Sequence, residues 1–182
     1  MPIRPIVALP HPVLRRVAAP VAAEDIRTPR IQRLVSDMRE TLRAAPDGVG
    51  LAAPQVGLPL RIFLVSEEAE HISEPAPPHA TPAPESKRAW RSQVFINPVA
   101  TKRSRAKSRL AEGCLSLPGK FGEVPRSEKV YLEWHDERGR KHGRGFTKFI
   151  ARVIQHELDH LDGVLIADRV EKLFSTTKTN NT

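Results

Sequence analysis

Apolar residues fall at helical spacing in two stretches of the chain and alternate or run on in most of the others. After Thr28-Pro29, a hydroxyl cap with proline in the first turn, Ile31, Leu34, Val35, Met38 and Leu42 trace one apolar face. Pro46-Asp47-Gly48 stops that helix. A second helix is expected over residues 147–161, with Ile150, Ile154, Leu158 and Leu161 on its buried face and Gly163 at its end. Between the two, residues 61–65 read as a buried strand. A strand-rich region opens at Val94-Phe95-Ile96-Asn97-Pro98 and continues through 110–117 and 129–135, and Asp136-Glu137-Arg138-Gly139 reads as a hairpin-type turn. Residues 3–8, broken by Pro5 and closed by Pro10, suit an edge strand or an extended arm, and 164–166 are expected to return as a strand. The order predicts an α+β fold, with mixed or antiparallel strands packed around one central helix.

At 182 residues the chain suits one well-buried core rather than two. We expect a single catalytic domain over 1–170 and a short polar tail over 171–182, disordered from Ser175 onward. Residues 67–92, rich in Glu and Ala and carrying Pro75, Pro77, Pro78, Pro82 and Pro84, read as a long, partly extended insertion loop within that domain. No apolar run is long enough to span a bilayer and no secretory or transit signal opens the chain, so the expected location is the cytoplasm and no membrane partner is implied. Cys114 is the only cysteine, which excludes an internal disulfide framework. The net charge of +8 is concentrated in Lys102-Arg103-Ser104-Arg105-Ala106-Lys107-Ser108-Arg109 and in residues 138–148. Such a field favours polyanions such as RNA or a ribosomal surface. With nine aromatic residues and no recognised RNA-binding motif, however, it reads first as a solvated basic face, and sequence-specific nucleic-acid binding is not expected.

The strongest chemical signal is Gln155-His156-Glu157-Leu158-Asp159-His160. Histidines four apart on a helix share a face, roughly 6 Å apart along the axis, and can bind one metal ion. The adjacent Glu157 can take a proton from a water activated there. Two ligands do not make a site, and the third decides the enzyme class. A metzincin pattern would put a third histidine where Ile166 stands. A downstream glutamate ligand would have to be Glu171, too close for a second helix to bring back. The upstream candidate is Cys114, within Glu112-Gly113-Cys114-Leu115-Ser116, a thiolate suited to borderline divalent metals. The turn Gly48-Val49-Gly50-Leu51-Ala52-Ala53-Pro54-Gln55 superficially matches a dinucleotide fingerprint, but a helix precedes it and Pro54 interrupts the residues after it. It reads better as a tight turn whose backbone approaches a ligand closely, ending in the amide of Gln55.

Together these three segments resemble the peptide deformylase family, its organellar, plant-mitochondrial type most closely, from about His11 to Asp168. The resemblance implies that Cys114, His156 and His160 bind one divalent metal and leave a fourth position for water. The physiological ion would be Fe(II), with Zn(II) or Ni(II) as replacements. Glu157 would act as general base toward the formyl carbon of an N-formylmethionyl nascent peptide and then as acid toward the departing amine. Gln55 and the backbone N–H of Leu115 would stabilise the oxyanion. Val49, Gly50 and Gly113 would line the extended peptide, and Leu110 and Val153, with Val49 and His156, the methionine pocket. Glu112 would support the ligands from behind and Arg126 would be structural. Bacterial members often continue into a long C-terminal helix that can bind the ribosome. Here the tail is short and polar, which leaves transient ribosome association to the basic surface. The protein would be a bacterial cytoplasmic one or a mature organellar form. Three rivals make distinct demands. An endopeptidase needs a downstream ligand, an inactive RNA-binding module predicts loss of Gln55, Cys114 or Glu157, and a hydrolase of other acylated amines keeps all of them.

Overall fold

The computed structural model describes residues 2–46, 48–72 and 90–175. Two helices, α1 (Pro29–Ala44) and α2 (Lys148–Leu161), accompany eight strands. The strands are β1 (Gly50–Ala52), β2 (Ile62–Ser66), β3 (Ser92–Arg103), β4 (Lys107–Cys114), β5 (Leu117–Ser127), β6 (Lys129–His135), β7 (Lys141–Thr147) and β8 (Phe174–Ser175). They form two sheets, β1-β2-β3-β6-β7 and β4-β5-β8, in which every pairing is antiparallel. The α+β expectation holds, with α2 buried at the centre.

Strand alternation decides where the helices sit. Phe63, Val65 and Phe95 turn to one face of the larger sheet, where Trp134, Phe146 and the α2 residues Ile150, Ile154, Leu158 and Leu161 join them. Ile62, Leu64, Val94 and Ile96 turn to the other, against Ile31, Leu34, Val35, Met38 and Leu42 of α1. Covered on both faces, β2 is buried throughout, which is why it reads as a continuous apolar run. A third cluster, Val13, Leu14, Leu117, Val124, Leu165 and Ile166, lies under the smaller sheet.

Several boundaries differ from the sequence expectation. Of the two alternatives for residues 3–8, the structure shows the extended arm and not the edge strand. The Thr28 hydroxyl donates to Asp25 O instead of capping α1. β3 runs through Pro98 because its pairing with β6 breaks register between Ile96 and Val99. Asn97 occupies that break at φ 51°, its amide exchanging two hydrogen bonds with the Val21 backbone. Residues 164–166 do not return as a strand, because Val164 N–H donates to Asp159 O and Leu165 N–H to the Asp168 carboxylate, and a 3-10 turn comes next at Ile166–Asp168. Gly163 is required after α2: its φ is +72°, and a Cβ there would meet Arg15 O at 2.7 Å. Glu67–Glu70 form a 3-10 turn and Ser92 already belongs to β3; residues 73–89 of the expected loop lie outside the described residues. In the expected tail Phe174–Ser175 pair with Lys120 and Phe121 of β5, while 176–182 lie outside the described residues.

The expected turn at residues 136–139 is organised by one side chain. Asp136 accepts from the N–H of Arg138 and Arg140 at 2.9 Å each, from Arg140 Nε at 2.8 Å, and lies 3.0 Å from His142 Nε2. Burial opposes ionisation of this carboxyl, but the bonds from His142, Arg140 and Arg138 outweigh it and hold the group below the usual aspartate range. Asp136→Ala is expected to cost about 1–2 kcal/mol of unfolding free energy at pH 7. Because the folded state lowers this proton affinity, that contribution is present above the unfolded value near 4 and fades as pH falls below it. Urea denaturation of both proteins from pH 7 to pH 2.5 should show the gap closing.

Candidate functional site

The site begins with α2, whose face opposite the core aromatics carries His156 and His160. Their rings are 4.9 Å apart. β4 delivers Cys114 from the smaller sheet, its Sγ 3.2 Å from His160 Nε2 across 46 residues of sequence. One ligand atom from each of Cys114, His156 and His160 lies within 4.8 Å of the others. The thiol and two imidazoles suit a borderline divalent cation.

The local electrostatics fit a cation as well. Burial holds His160 well below its ordinary value, keeping the imidazole in the neutral form a metal needs. Burial also disfavours a charged His156, yet hydrogen bonding to Cys114 and Glu112 raises it well above its ordinary value. The field at that point therefore favours positive charge. His156 Nδ1 lies 3.1 Å from Glu112 Oε2, which makes Nδ1 the donor and leaves Nε2 to face Cys114.

Glu112 is the hub behind the cluster. Arg126 forks onto it, Nε to Oε1 at 2.9 Å and NH2 to Oε2 at 2.8 Å, and Arg152 NH1 reaches Oε1 at 2.7 Å. Burial would raise the Glu112 carboxyl, but the bonds from His156 and Arg126 prevail and hold it at about 2. Arg126 also donates to Asp159 Oδ2 at 2.5 Å, and Arg169 covers the rest of that carboxylate. Arg152 continues to Val124 O and Ser108 O, both at 2.8 Å, and so ties α2 to β4 and β5. The sequence placed Glu112 behind the ligands and read Arg126 as structural, without its link to Glu112, and it missed the parts played by Arg152 and Asp159. The available signal was an arginine one turn before His156 in an otherwise apolar stretch, a position where a charge requires a partner.

Glu157 sits 3% exposed beneath β1, with Oε2 unpartnered among the described residues. Burial pushes its carboxyl up to about 7, aided by the nearby Glu112 and Asp159 charges and opposed by His156 and Arg126. Gly50 is where the glycine turn needs a missing side chain. A Cβ there would collide with the Glu157 carboxylate and meet Val153 Cγ1 at 3.0 Å. The structure thus brings Gly50 and Val153 together at Glu157, and Val49 packs against the same apolar cluster as Val153. Leu110, 38% exposed, alternates onto the same face of β4 as Glu112, toward α2, whereas Gly113 is exposed with the Phe121 ring beside it.

Gln55 completes the cluster. Its Oε1 accepts the Ala52 N–H at 2.8 Å, which orients Nε2 toward Cys114 Sγ at 3.7 Å and Ser116 Oγ at 3.4 Å. Leu115 lies in the tight turn between β4 and β5, next to the buried Ser116. A cavity of about 330 Å³ lined by Arg39, Trp134, Asp136 and His142 shares none of these residues. No helix among the described residues is long and apolar enough to cross a membrane.

Residues 3–175 match the family model for polypeptide deformylase. The chain is 46% identical over 169 residues to the peptide deformylase of Thermus thermophilus, covering 92% of this chain and 82% of that one. It is 41% identical over 172 residues to the chloroplastic/mitochondrial peptide deformylase 1A of Arabidopsis thaliana, covering 94% of this chain and 63% of that one. Among solved structures, the Met-Ala-Ser-bound class I type b peptide deformylase of Acinetobacter baumannii superposes with a TM-score of 0.77 at 32% identity, covering 92% of this chain and 98% of that one.

The buried hub gives a direct test of what holds the cluster. Removing Arg126 leaves two buried carboxylates short of a partner, and such losses cost about 3–5 kcal/mol. Arg126→Met should lower the unfolding free energy by that order in urea titrations monitored by circular dichroism.

Proposed function

The chain belongs to the polypeptide deformylase family, and we propose the residues by which it carries out that family's reaction. The reaction is hydrolysis of the formyl group from N-formylmethionyl nascent peptides, with release of formate. The family is metal-dependent, and Cys114, His156 and His160 are the residues that would hold the ion. When bound, the ion supplies Lewis acidity, lowering the pKa of water and polarising a carbonyl. We take Fe(II) as the physiological metal and Zn(II) or Ni(II) as replacements; a set of two neutral imidazoles and one thiolate accepts all three.

Glu157 receives the proton of the attacking water and returns it to the departing amine. The observation that carries this reading is its carboxylate, buried beside the ligand cluster, with Oε2 unpartnered among the described residues, and brought by burial to a proton affinity near neutrality. A base poised there both accepts and releases a proton at physiological pH. Gln55 Nε2 and the Leu115 N–H donate to the oxygen that gains charge as the carbonyl becomes tetrahedral. The orientation of Gln55 is set in advance by the Ala52 N–H, so the donor needs no rearrangement during the step. The peptide runs along the backbone of Val49, Gly50 and Gly113, and its methionine side chain enters between Leu110, Val153 and Val49. The residues from 1 to about 170 act as one catalytic domain.

The same proposal places the protein in a bacterial cytoplasm, or in an organelle as a mature form, acting on chains as they emerge. Transient ribosome contact is supported by the β3–β4 hairpin. Lys102, Arg103, Arg105, Lys107 and Arg109 are all exposed there, and none makes an ion pair among the described residues. Replacing all five with glutamine should weaken cosedimentation with ribosomes at low salt and leave turnover of a short formyl peptide unchanged.

The reaction is tested by formate release from formyl-Met-Ala-Ser, with protein purified anaerobically and loaded with Fe(II), Ni(II) or Zn(II). Glu157→Ala should abolish turnover and retain metal, whereas Cys114→Ala should lose the metal, both read by elemental analysis beside the assay. Near-normal activity in either variant would sink the assignment, and cleavage of an unformylated peptide would restore the endopeptidase reading.

A further inference from the structure

The N-terminal arm crosses under both of the turns that carry the proposed oxyanion donors. Val7 N–H donates to Gln55 O at 2.9 Å, and Leu9 N–H donates to Ser116 O at 3.2 Å. Two amides, two residues apart, thus bond to carbonyls in segments about sixty residues apart in the chain. The arm's side chains take the same route. Ile6 packs on the cluster that also takes Ala53, Val56 and Leu115, while Val7, Leu9 and Cys114 pack on the cluster under the smaller sheet.

The arm is anchored ahead of these contacts. Arg4 N–H donates to Thr41 Oγ1 at 2.9 Å, and the Arg4 guanidinium holds Asp37 Oδ2 at 3.0 and 3.1 Å, both partners on α1. It is anchored behind them by the 3-10 turn Pro12–Arg15 and by Ala18 N–H, which donates to Leu161 O at 2.8 Å. By contrast, the direct hydrogen bonds between the two turns are both long: Gln55 Nε2 to Ser116 Oγ at 3.4 Å and to Cys114 Sγ at 3.7 Å. Oxyanion stabilisation requires donors about 2.7–3.1 Å from a developing charge, a tolerance those long contacts do not provide.

We propose that Arg4–Leu9 is a positioning strap, which holds the Gln55 turn and the Leu115-Ser116 turn in register for the transition state while touching no substrate itself. This rests on the deformylase reading above. The strap acts on the step in which charge develops on oxygen and leaves ground-state binding of the peptide alone, so its loss lowers kcat and leaves KM in place.

The test uses the full chain with its metal. Val7→Pro removes the N–H that holds Gln55 O, and Val7→Ala keeps that N–H while trimming the side chain. Arg4→Ala releases the forward anchor and leaves every strap amide in place. Val7→Pro is expected to lower kcat for formyl-Met-Ala-Ser roughly 10- to 100-fold, since misplacements of the order of 1 Å can cost that much. Its KM, metal content and affinity for the product Met-Ala-Ser by calorimetry should stay within about 3-fold of the parent, and Val7→Ala should keep parental kcat. Arg4→Ala should fall between the two, and it carries the test if Val7→Pro does not fold. The strap is overturned if kcat is unchanged in Val7→Pro and Arg4→Ala, if Val7→Ala loses as much as Val7→Pro, or if activity falls only in proportion to bound metal or folded protein. Absence of formate release from the parent protein would overturn the deformylase reading, and the strap with it. An active parent with unaltered variants would overturn the strap alone.

Discussion

One buried carboxylate, that of Glu112, holds the two halves of the molecule in a common frame. α2 is fastened to the larger sheet by apolar packing and to the smaller one by charge. The difference arises from what β4 has to offer: Glu112 is its only buried residue, and Lys107, Arg109, Leu110 and Gly113 are exposed. Such a strand has little apolar surface with which to dock. Two guanidiniums and an imidazole around Glu112 make the attachment instead, and they fix the end of the strand where Cys114 meets the two histidines. The arrangement resists partial loss. A buried ion with its partners in place is nearly neutral in energy, whereas the same ion short of one partner is heavily unfavourable.

The proton affinities around the cluster come from the same geometry. Glu112 and Glu157 are both buried carboxyls on the two sides of His156, yet they are pushed in opposite directions. Glu112 has hydrogen-bond donors on both oxygens and stays ionised. Glu157 has an unpartnered oxygen and the backbone of Gly50 pressed against it, so desolvation dominates. One carboxyl is thereby made a permanent anion and the other a group able to exchange a proton near neutral pH, without any difference in side-chain type.

Much of this was legible in the chain because the signals are local. The periodicity of Ile31 to Leu42 and of Ile150 to Leu161 reports helices by itself, and four-residue spacing places His156 and His160 on one face whatever the topology. Gln55, Cys114 and the histidine helix could be joined from the sequence because their three segments together resemble those of one family. The rest depended on partners that are distant in sequence. Nothing local shows that Arg152 reaches Glu112, forty residues upstream, or that Val164 N–H turns back to Asp159 and prevents a strand. Phe174 and Ser175 looked like part of a polar tail because the apolar partner that recruits them, Phe121, lies on a strand closed far earlier. The short apolar run at 3–8 left open an edge strand or an extended arm, and the structure takes the arm because its two amides are taken by separate turns and no ladder forms.

The wide sequence separation of the proposed ligands has a consequence for how the molecule comes into being. Cys114 and His160 are 46 residues apart, Gln55 is a further 59 upstream, and the arm bonded to the Gln55 and Ser116 carbonyls lies further upstream still. No shorter contiguous fragment holds the constellation, so the centre forms only after synthesis has passed the second histidine and the non-local pairings have closed, the slow class of folding event. A cation that bound the assembled cluster more tightly than the unfolded chain would draw the folding equilibrium toward completion. Under the proposed ligand set metal supply and chain maturation would be linked, so that a shortage of the ion would lower the amount of finished protein as well as its activity.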